Sequence, residues 1–257
     1  MILFLLACFR AHEPPPATAA QSLGLGAETQ ISGVVFEFET RVLLPNVALT
    51  LHVQDRASIE VSTNAKGGWD AMVPDGVPFT PQLAIDGYLP ARHATFVVGA
   101  GSEQQPGHLA KPGRLDLQAV PLSVFDEMAT SLAGTPLRRD ACLIVDTVTV
   151  AQVYAMASFA DFIPLRPHGE PGVQMRLEPD PGVDPIYFNE DVRPDRSLSQ
   201  TTVDGGVLWL NVPPGTYTIT GEQDDPSLEV VPRQVDCRAG ELVNLNPPMG
   251  AGMRVKG

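Results

Sequence analysis

Basic residues are scarce in this sequence: 17 Lys and Arg stand against 30 Asp and Glu, which gives a formal net charge of −13. A surface of this sign repels phosphate backbones, so we expect no nucleic-acid partner. The low lysine content also argues against electrostatic binding to anionic lipid. No apolar run after residue 8 is long enough to cross a bilayer.

The sequence also lacks the patterns that carry catalysis or bind cofactors. There is no Gly-x-Ser-x-Gly nucleophile elbow, no glycine loop for phosphate, and no redox spacing among the 3 Cys. No His lies at metal-ligand spacing from another His, a Cys or a carboxylate. The five are His12, His52, His93, His108 and His168. We therefore expect no enzyme activity, no cofactor and no metal, and we nominate no catalytic residue.

Glycine and proline, by contrast, are abundant, with 23 and 25 among the 257 residues. Both residues punctuate chains rich in strands and turns, and both interrupt helices. The 44% of hydrophobic residues is enough for packed cores, and the length allows two modest domains. This composition predicts an all-β fold.

The first eight residues end in Leu5-Leu6-Ala7-Cys8, which resembles the lipobox of bacterial lipoproteins. The resemblance implies that residues 1–8 are a signal segment, that Cys8 carries a lipid, and that residues 9–29 are a flexible tether. No Lys or Arg precedes the apolar run, and the run is short for a signal core. The alternative is a disordered apolar end with an ordinary cysteine.

Cys142 and Cys237 remain as an even pair if Cys8 is acylated. An exported protein meets an oxidising compartment, where such a pair forms a disulfide. The sequence puts Cys142 at the start of the first strand of its module and Cys237 before the last strand. First and last strands of a sandwich often lie side by side, so we expect a Cys142–Cys237 bond. Two buried free thiols are the alternative.

Two segments of the chain resemble each other and indicate an internal repeat. Residues 44–51 read LPNVALTL, and residues 170–177 read EPGVQMRL. Apolar residues alternate in both segments, and this period of two predicts a strand with one buried face. A Gly-Gly turn followed by a further strand comes next in both copies, at residues 67–68 and 205–206.

These patterns divide the chain into two β-sandwich modules. We place module 1 at residues 30–121 and module 2 at residues 138–250, each with about seven short antiparallel strands. Residues 122–137 form a helical linker between them. In this linker, Ser123 can cap a helix over residues 123–133.

The repeated motif resembles the carboxypeptidase regulatory-like domain, a transthyretin-like β-sandwich. The pattern of that family runs Gly-x-Val, Pro-Gly-Val-x-Val-x-Leu, Thr-x-x-x-Gly-x-Phe and Pro-x-Gly-x-Tyr. Module 1 matches it at Gly33, Pro45, Val47, Thr63, Gly67 and Trp69, and module 2 at Pro171, Gly172, Val173, Thr202, Gly205, Pro213, Gly215 and Tyr217. The resemblance implies two Ig-like or transthyretin-like sandwiches joined by a short helical segment, and it implies almost nothing about function.

Acidic residues near one strand of module 2 raise the question of calcium. They are Glu178, Asp180 and Asp184 before the strand, Glu190, Asp191 and Asp195 after it, and Asp224 and Asp225 further on. Calcium needs six to eight converging oxygen ligands, which several loops at one end of a sandwich could supply. Solvated turns are the commoner explanation of such residues, and the sequence leaves calcium open.

Trp69 and Trp209 raise the question of sugar binding, because exposed aromatic rings stack on carbohydrates. Their neighbours on the same strand face, such as Ala71 and Val207, are apolar, so the sequence predicts that both rings lie in the core.

The sequence as a whole favours a non-catalytic, exported lipoprotein anchored to the membrane of a bacterial cell envelope by a lipid on Cys8. Its sandwiches would serve as structural or binding modules for a protein or polysaccharide of that envelope. A carbohydrate-binding accessory protein and an enzyme with an unrecognised site are the two alternatives. An exposed aromatic platform would favour the first of these, and a deep pocket with paired titratable groups the second.

Overall fold

The computed structural model of the protein describes residues 27–99, 109, 114–124, 132, 138–154, 164–165, 167–245 and 250–256. Nearly all regular structure in these residues is strand, and the two helical pieces are short: α1 (Ala151–Tyr154) and a helical turn at 122–124. The all-β sandwich class predicted from the sequence is confirmed. Within the described residues, no helix is long and apolar enough to span a membrane.

Module 1 consists of two sheets that face each other across an apolar core. Its strands are β1 (Glu28–Glu37), β2 (Ala48–Val53), β3 (Ile59–Ser62), β4 (Gly68–Pro74), β5 (Phe79–Leu83), β6 (Ala91–Arg92) and β7 (Leu117–Ala119). One sheet has the strand order β4-β1-β7, and the other has the order β3-β2-β5-β6. Ile31 and Trp69 from the first sheet and Leu49 and Leu51 from the second lie in the same buried cluster.

Module 2 also packs two sheets face to face. Its strands are β8 (Cys142–Thr147), β9 (Gln174–Glu178), β10 (Ile186–Phe188), β11 (Pro194–Asp195), β12 (Gly206–Val212), β13 (Gly215–Glu222), β14 (Leu228–Val230), β15 (Arg233–Cys237), β16 (Leu242–Leu245) and β17 (Met253–Val255). One sheet has the order β11-β10-β12-β8-β16, the other has the order β15-β13-β9, and β14 pairs with β17 in a separate ladder.

The strands of the two modules are connected in the same way. In module 1, β1 pairs with β4 antiparallel and with β7 parallel; in module 2, β8 pairs with β12 antiparallel and with β16 parallel. The ladder β2-β5-β6 corresponds likewise to β9-β13-β15. The repeat in the sequence is thus also a repeat of topology.

One glycine in each module holds the first strand beside the hairpin turn that precedes β4 or β12. The N–H of Val35 donates to the carbonyl of Gly67 at 3.0 Å, and the N–H of Val148 donates to that of Gly205 at 2.8 Å. Both glycines have positive φ, 72° and 78°. A Cβ on Gly205 would lie 2.2 Å from the Val148 carbonyl oxygen, so the close approach of the two backbones requires glycine.

A buried threonine closes the turn before the second strand of each module. In module 1, the Thr63 hydroxyl donates to the Leu44 carbonyl at 2.7 Å and accepts from the Val47 N–H at 2.8 Å. In module 2, the Thr201 hydroxyl makes the same two hydrogen bonds, to the Glu170 carbonyl at 2.6 Å and from the Val173 N–H at 2.9 Å. We call this arrangement the threonine clasp.

The clasp corrects one residue of the sequence alignment. Thr202 was matched to Thr63, but the residue that performs the same function is Thr201. Thr202 corresponds to Asn64, because each of these two residues accepts the N–H of the turn glycine through its backbone carbonyl, at 2.9 Å in both modules. A single-residue shift along a strand exchanges its two faces, which is why the choice between two adjacent threonines matters.

The two modules share one continuous sheet. Strand β16 of module 2 pairs in parallel with β6 of module 1, and this pairing joins their sheets into nine strands in the order β11-β10-β12-β8-β16-β6-β5-β2-β3. Across the joint, Gln82 lies opposite Arg92, and Arg92 lies opposite Val243. Residues paired across a ladder lie on the same face of the sheet, so Gln82, Arg92 and Val243 share one face. This face is the polar outer one in module 1 and the apolar inner one in module 2.

The parallel pairs are a correction to the expected purely antiparallel sandwiches. The β1–β7 and β8–β16 ladders are parallel, since the last sheet strand of each module returns beside the first after a long excursion. The β6–β16 ladder between the modules is parallel as well. The chain after β8 leads into helix α1. Of the expected helix at 123–133, residues 123–124 are helical, and residues 125–131 and 133 lie outside the described residues.

Candidate functional site at the junction of the two modules

An ion pair crosses the joint on the face where the strands of module 1 carry polar side chains. The Nε of Arg92 in β6 donates to Oε2 of Glu241, which directly precedes β16, at 2.5 Å. The side chains of Arg92 and Glu241 are only 11% and 16% exposed. Gln82 in β5 donates its side-chain N–H to the other oxygen of Glu241 at 2.6 Å. Both carboxylate oxygens of Glu241 are therefore bound by module 1, and the shielding from water makes each contact stronger than on an open surface.

This network extends outward on both sides. In module 1, the carbonyl oxygen of the Gln82 side chain lies 2.6 Å from the Nε2 of His52. In module 2, Asp236 in β15 lies 3.7 Å from Arg92 and 2.8 Å from Arg238. The polar network thus runs from β2 to β15 and ties four strands of the two modules together.

A second polar contact lies in the interior of the joint. His93, which follows β6, is 4% exposed, and the backbone of Asn244 in β16 hydrogen-bonds its ring. The side-chain N–H of Asn244 donates in turn to the carbonyl of Gln118 in β7 at 3.2 Å. Burial lowers the pKa of His93 to about 4, so the ring is neutral at physiological pH.

Two backbone hydrogen bonds complete the joint. The N–H of Leu242 donates to the carbonyl of Pro90 at 2.9 Å, and the N–H of Thr95 donates to the carbonyl of Gln234 at 3.1 Å. Both sheets of module 2 therefore contact module 1, β16 through one bond and β15 through the other. A hinge between the modules would have to break all of these contacts together.

Asp146 in β8 is a fully buried carboxyl in the core of module 2. Its Oδ1 accepts the N–H of Thr147 at 2.8 Å and that of Ala251 at 2.9 Å, and Oδ2 has no hydrogen-bond partner. Burial raises the pKa of Asp146 to about 7, against the opposite effect of the two N–H groups and of the nearby Arg233. Arg233 donates to the Gly250 carbonyl at 3.2 Å, so both side chains hold the segment before β17 in place.

A small cleft opens beside the joint. Its volume is about 160 Å³, below the roughly 300 Å³ at which small-molecule sites begin. Three leucines, Leu89, Leu143 and Leu242, line it, and polar groups come from Arg138, Arg139, Asn211 and Glu241. Arg138 pairs with Asp140 at 2.7 Å, and Glu241 is held by the ion pair described above. The cleft therefore presents few free polar groups to a ligand.

Cys142 and Cys237 are brought together and joined, with 5.8 Å between their Cα atoms. Cys142 begins β8, and Cys237 ends β15, so the bond links the two facing sheets of module 2. The first and last strands lie side by side as expected from the sequence, since β8 pairs with β16, but Cys237 itself lies in β15, which belongs to the opposite sheet. The bond closes a segment of 95 residues.

The remaining residues singled out in the sequence form no metal-binding group in the described part of the chain. Trp69 and Trp209 are 4% and 1% exposed, which confirms that both rings belong to the core. No Trp, Tyr or Phe whose burial the structure describes is exposed, and among the described residues no group of three His, Cys, Asp or Glu side chains could hold a metal ion. Cys8, His12 and His108 lie outside the described residues.

The polar residues of the joint were missed by the sequence reasoning. Arg92, His93 and Asn244 stand in short strands or just after them, among apolar neighbours, and no motif distinguishes them. The one available signal was the pattern itself, because polar residues within an apolar strand indicate a buried contact. That signal does not say which strand of a distant module provides the partner.

Comparison with known proteins identifies no family. No protein-family model matches the chain, and no curated protein does. The solved structures that it resembles include the Bacillus anthracis TIE protein, which is 13% identical with a TM-score of 0.28; the match covers 84% of this chain and 32% of that one. The chain thus spans about a third of the length of the Bacillus protein.

Two pilins are similar over their whole length. The shaft pilin SpaA from Lactobacillus rhamnosus GG is 10% identical with a TM-score of 0.27, and the match covers 90% of this chain and 99% of that chain. The minor pilin GBS52 from Streptococcus agalactiae is also 10% identical with a TM-score of 0.27, and the match covers 89% of this chain and 97% of that chain. Similarities with TM-scores this low carry no argument about the function of the chain.

Proposed function

We propose that the protein is a non-catalytic lipoprotein of the bacterial cell envelope, whose two sandwiches form one stiff arm that extends from the membrane. Both sandwiches are, in this proposal, copies of a carboxypeptidase regulatory-like domain. The arm would hold the outer loops and strand edges of the protein at a fixed distance and angle from the lipid anchor, where a protein or polysaccharide of the envelope can bind them.

The single observation that carries the proposal is the parallel pairing of β16 with β6. Domains that move independently are usually joined by an exposed linker across a small polar contact. Here a sheet continues through the joint, and Arg92 and Glu241 close it on one face. Such a joint transmits force and orientation, which a structural arm needs and a flexible chain of domains does not have.

The position of two titratable groups supports a role without catalysis. Asp146 and His93, two groups with strongly shifted pKa values, are buried and bonded to backbone groups, and they do not face the cleft. Catalytic groups need access to a substrate, so shifted pKa values in a closed core favour a structural role. A carbohydrate-binding role has less support, because both tryptophans lie in the core.

The anchor rests on Leu5-Leu6-Ala7-Cys8 and on the tether that follows it. A bound acyl chain gains about 0.8 kcal/mol for each methylene buried in the bilayer, so a lipid on Cys8 would hold the protein at the membrane without a spanning helix. Export would also place Cys142 and Cys237 in an oxidising compartment, where their bond is stable.

The experiment that tests the anchor compares wild type with Cys8→Ser in a bacterial host. The wild type should incorporate radioactive palmitate and partition into detergent, and Cys8→Ser should do neither. Cys142→Ser is the matched control, because it removes a cysteine that is not in the lipobox and should leave the label unchanged. Label on Cys8→Ser, or none on the wild type, would contradict the proposed anchor.

A further inference from the structure

The two modules differ at one strand edge. In module 1, β2 is covered on its outer side by β3, which pairs Val61 with Leu49 and Ile59 with Leu51. The equivalent strand of module 2 is β9, which forms the end of its sheet. The chain that follows β9 joins the opposite sheet instead, where β10 pairs with β12 and β11 pairs with β10. Among the described residues, no strand of module 2 takes the place that β3 fills in module 1, and we call this side of β9 the open edge.

The open edge presents unpaired backbone groups. Val173 directs its backbone N–H and carbonyl to the clasp residue Thr201, away from β13. Because backbone groups alternate in direction along a strand, those of Met175 and Leu177 also point away from β13. The Met175 N–H donates to the Tyr187 hydroxyl at 2.9 Å. In the described part of the chain, the carbonyl of Met175 and both backbone groups of Leu177 have no partner. An edge of this kind is a template for an added strand.

Module 1 indicates the side-chain pattern that fits such an edge. In β3, Ile59 and Val61 are half-buried against the core, and Glu60 and Ser62 are exposed. In β9, Met175 and Leu177 are buried, and Arg176 is exposed. A strand added to β9 therefore needs apolar residues at every second position, and polar ones between them.

Charge determines which polar residues fit. Glu178, Asp180 and Asp184 follow β9 at one end of the edge. At the other end lie Glu222, which pairs with Gln174, and then Asp224 and Asp225. All six acidic side chains are exposed, and the positive charge of Arg176 is already engaged by Glu178 and Glu222. Both ends of the edge thus favour a cationic partner.

A second copy of the same chain is a poor occupant by this criterion. Each copy carries a formal net charge of −13, so two copies repel each other. The exposed polar residues of its own edge strand β3, Glu60 and Ser62, bring no positive charge. The occupant that fits the edge is therefore a different polypeptide.

We propose that the open edge of β9 binds an extended polypeptide segment in which lysine or arginine alternates with β-branched apolar residues, added to the sheet as β3 is added to β2. This interaction surface is independent of the lipid anchor and of the stiffness of the joint. The segment would donate to the Met175 and Leu177 carbonyls, accept from the Leu177 N–H, and place its cationic side chains beside the two acidic ends.

The test is a titration of the full chain, labelled with ¹⁵N, with the capped peptide Lys-Val-Lys-Val-Lys-Val-Lys. Amide shifts should concentrate on Val173–Glu178, and hydrogen exchange of the Leu177 amide should slow at least tenfold. The Arg176 amide, already bonded within the sheet, should change little. A peptide with Glu in place of Lys, and one with Pro in place of the central Val, should not bind, because the first reverses the charge and the second removes a donor.

A pair of charge variants separates the edge from general attraction to an acidic protein. Glu178→Gln/Asp180→Asn/Asp184→Asn should weaken peptide binding by roughly tenfold, at a few-fold per exposed charge. The control Asp55→Asn/Glu60→Gln/Asp86→Asn removes as many exposed charges from module 1 and should leave binding unchanged. The proposal is overturned if the peptide does not bind at millimolar concentration, or if both variants weaken peptide binding equally. It is also overturned if amide shifts occur without slower hydrogen exchange at Leu177, or if self-association protects the Leu177 amide in the absence of peptide.

Discussion

Modules 1 and 2 share the same set of turn hydrogen bonds but differ in their edge strands, core residues and cross-links. Each has a threonine clasp, at Thr63 or Thr201, and a positive-φ glycine, at Gly67 or Gly205. Around this frame, module 1 covers its second strand with β3 and places a tryptophan two residues after the glycine. Module 2 has Val207 at that place, leaves β9 open, and joins its sheets with a disulfide.

The comparison separates what the fold requires from what each module can vary. A clasp threonine and a turn glycine satisfy buried backbone groups at places where few other residues could, so both modules retain them. Core volume can be filled in several ways, because any well-packed set of apolar side chains stabilises the sandwich. Trp69 in module 1 and Trp209 in module 2 fill the core from strand positions two residues apart in the repeat.

Removing the disulfide should have the largest effect and should be confined to module 2. The chain-entropy model gives about 4–5 kcal/mol for closing a loop of this size, and measured values are commonly lower. Cys142→Ala/Cys237→Ala should therefore lower the free energy of unfolding of module 2 in a guanidinium titration. Trp69 fluorescence in a Trp209→Phe background reports on module 1 in the same experiment.

The control is the wild type treated with a reducing agent, which should match the double variant. Peptide mass spectrometry without reduction should find Cys142 and Cys237 cross-linked. Free alkylated Cys142 and Cys237 in exported protein would refute the bond, and an unchanged unfolding midpoint would contradict its contribution to stability.

The buried titratable groups should give the modules opposite dependence on pH. Burial raises the pKa of Asp146 from 3.8 to about 7, so its contribution to stability is fully present below about pH 4 and is lost as the pH rises to 7. Burial lowers the pKa of His93 from 6.5 to about 4, so stability is gained as the pH rises from 4 to 6.5. Asp146→Asn should therefore gain stability relative to wild type as the pH rises over this range.

His93→Gln should show the opposite slope, since of the two buried groups Asp146 then remains. Urea unfolding at half-unit steps between pH 4 and 7.5 gives the free energy of unfolding as a function of pH for each variant. Hydrogen bonds that a substitution removes at every pH lower this whole curve by a constant amount and do not change its slope. Parallel curves for wild type and both variants would show that neither pKa differs between the folded and the unfolded protein.

The threonine clasps should give the smaller effect and the same one in both modules. Thr63→Val and Thr201→Val keep the shape of the side chain and leave one buried N–H and one carbonyl without their partner. Each should cost about 1–3 kcal/mol in free energy of unfolding. Thr202→Val is the matched control: its hydroxyl also makes two hydrogen bonds, to the Phe188 carbonyl and from the Asp204 N–H, but it lies outside the clasp and is half-buried, so water can replace both. A cost at Thr202 equal to that at Thr201 would contradict the assignment of the clasp.

Much of each module could be predicted from the sequence, because local chemistry determines it. The alternation in residues 47–51 and 173–177 gave the strands β2 and β9, and the turn residues gave their ends. The positive φ of Asn46 and of Gly172, at equivalent places in the turn before those strands, is a local preference that composition reveals.

The joint between the modules could not be predicted in this way. Strand β6 contains only Ala91 and Arg92, too few residues to show a period, and β16 is buried at all four positions and shows no alternation. Which edge of one module meets which edge of another depends on pairing across some 150 residues. The same limit applies to the disulfide: the pairing of the two cysteines followed from composition, but their position on facing sheets depended on topology.

The central claim, that the two modules form one rigid arm, is tested most directly by a distance between them. Spin labels are attached at Glu60→Cys in β3 and Thr216→Cys in β13, two exposed positions, and double electron–electron resonance measures the distance between them. The background carries Cys8→Ser, and the conditions are non-reducing so that the disulfide stays intact. We expect a single narrow distribution, as narrow as that of a reference pair within module 1 at Glu60→Cys and Met72→Cys. A broad or bimodal distribution between the modules, beside a narrow reference, would contradict the rigid joint.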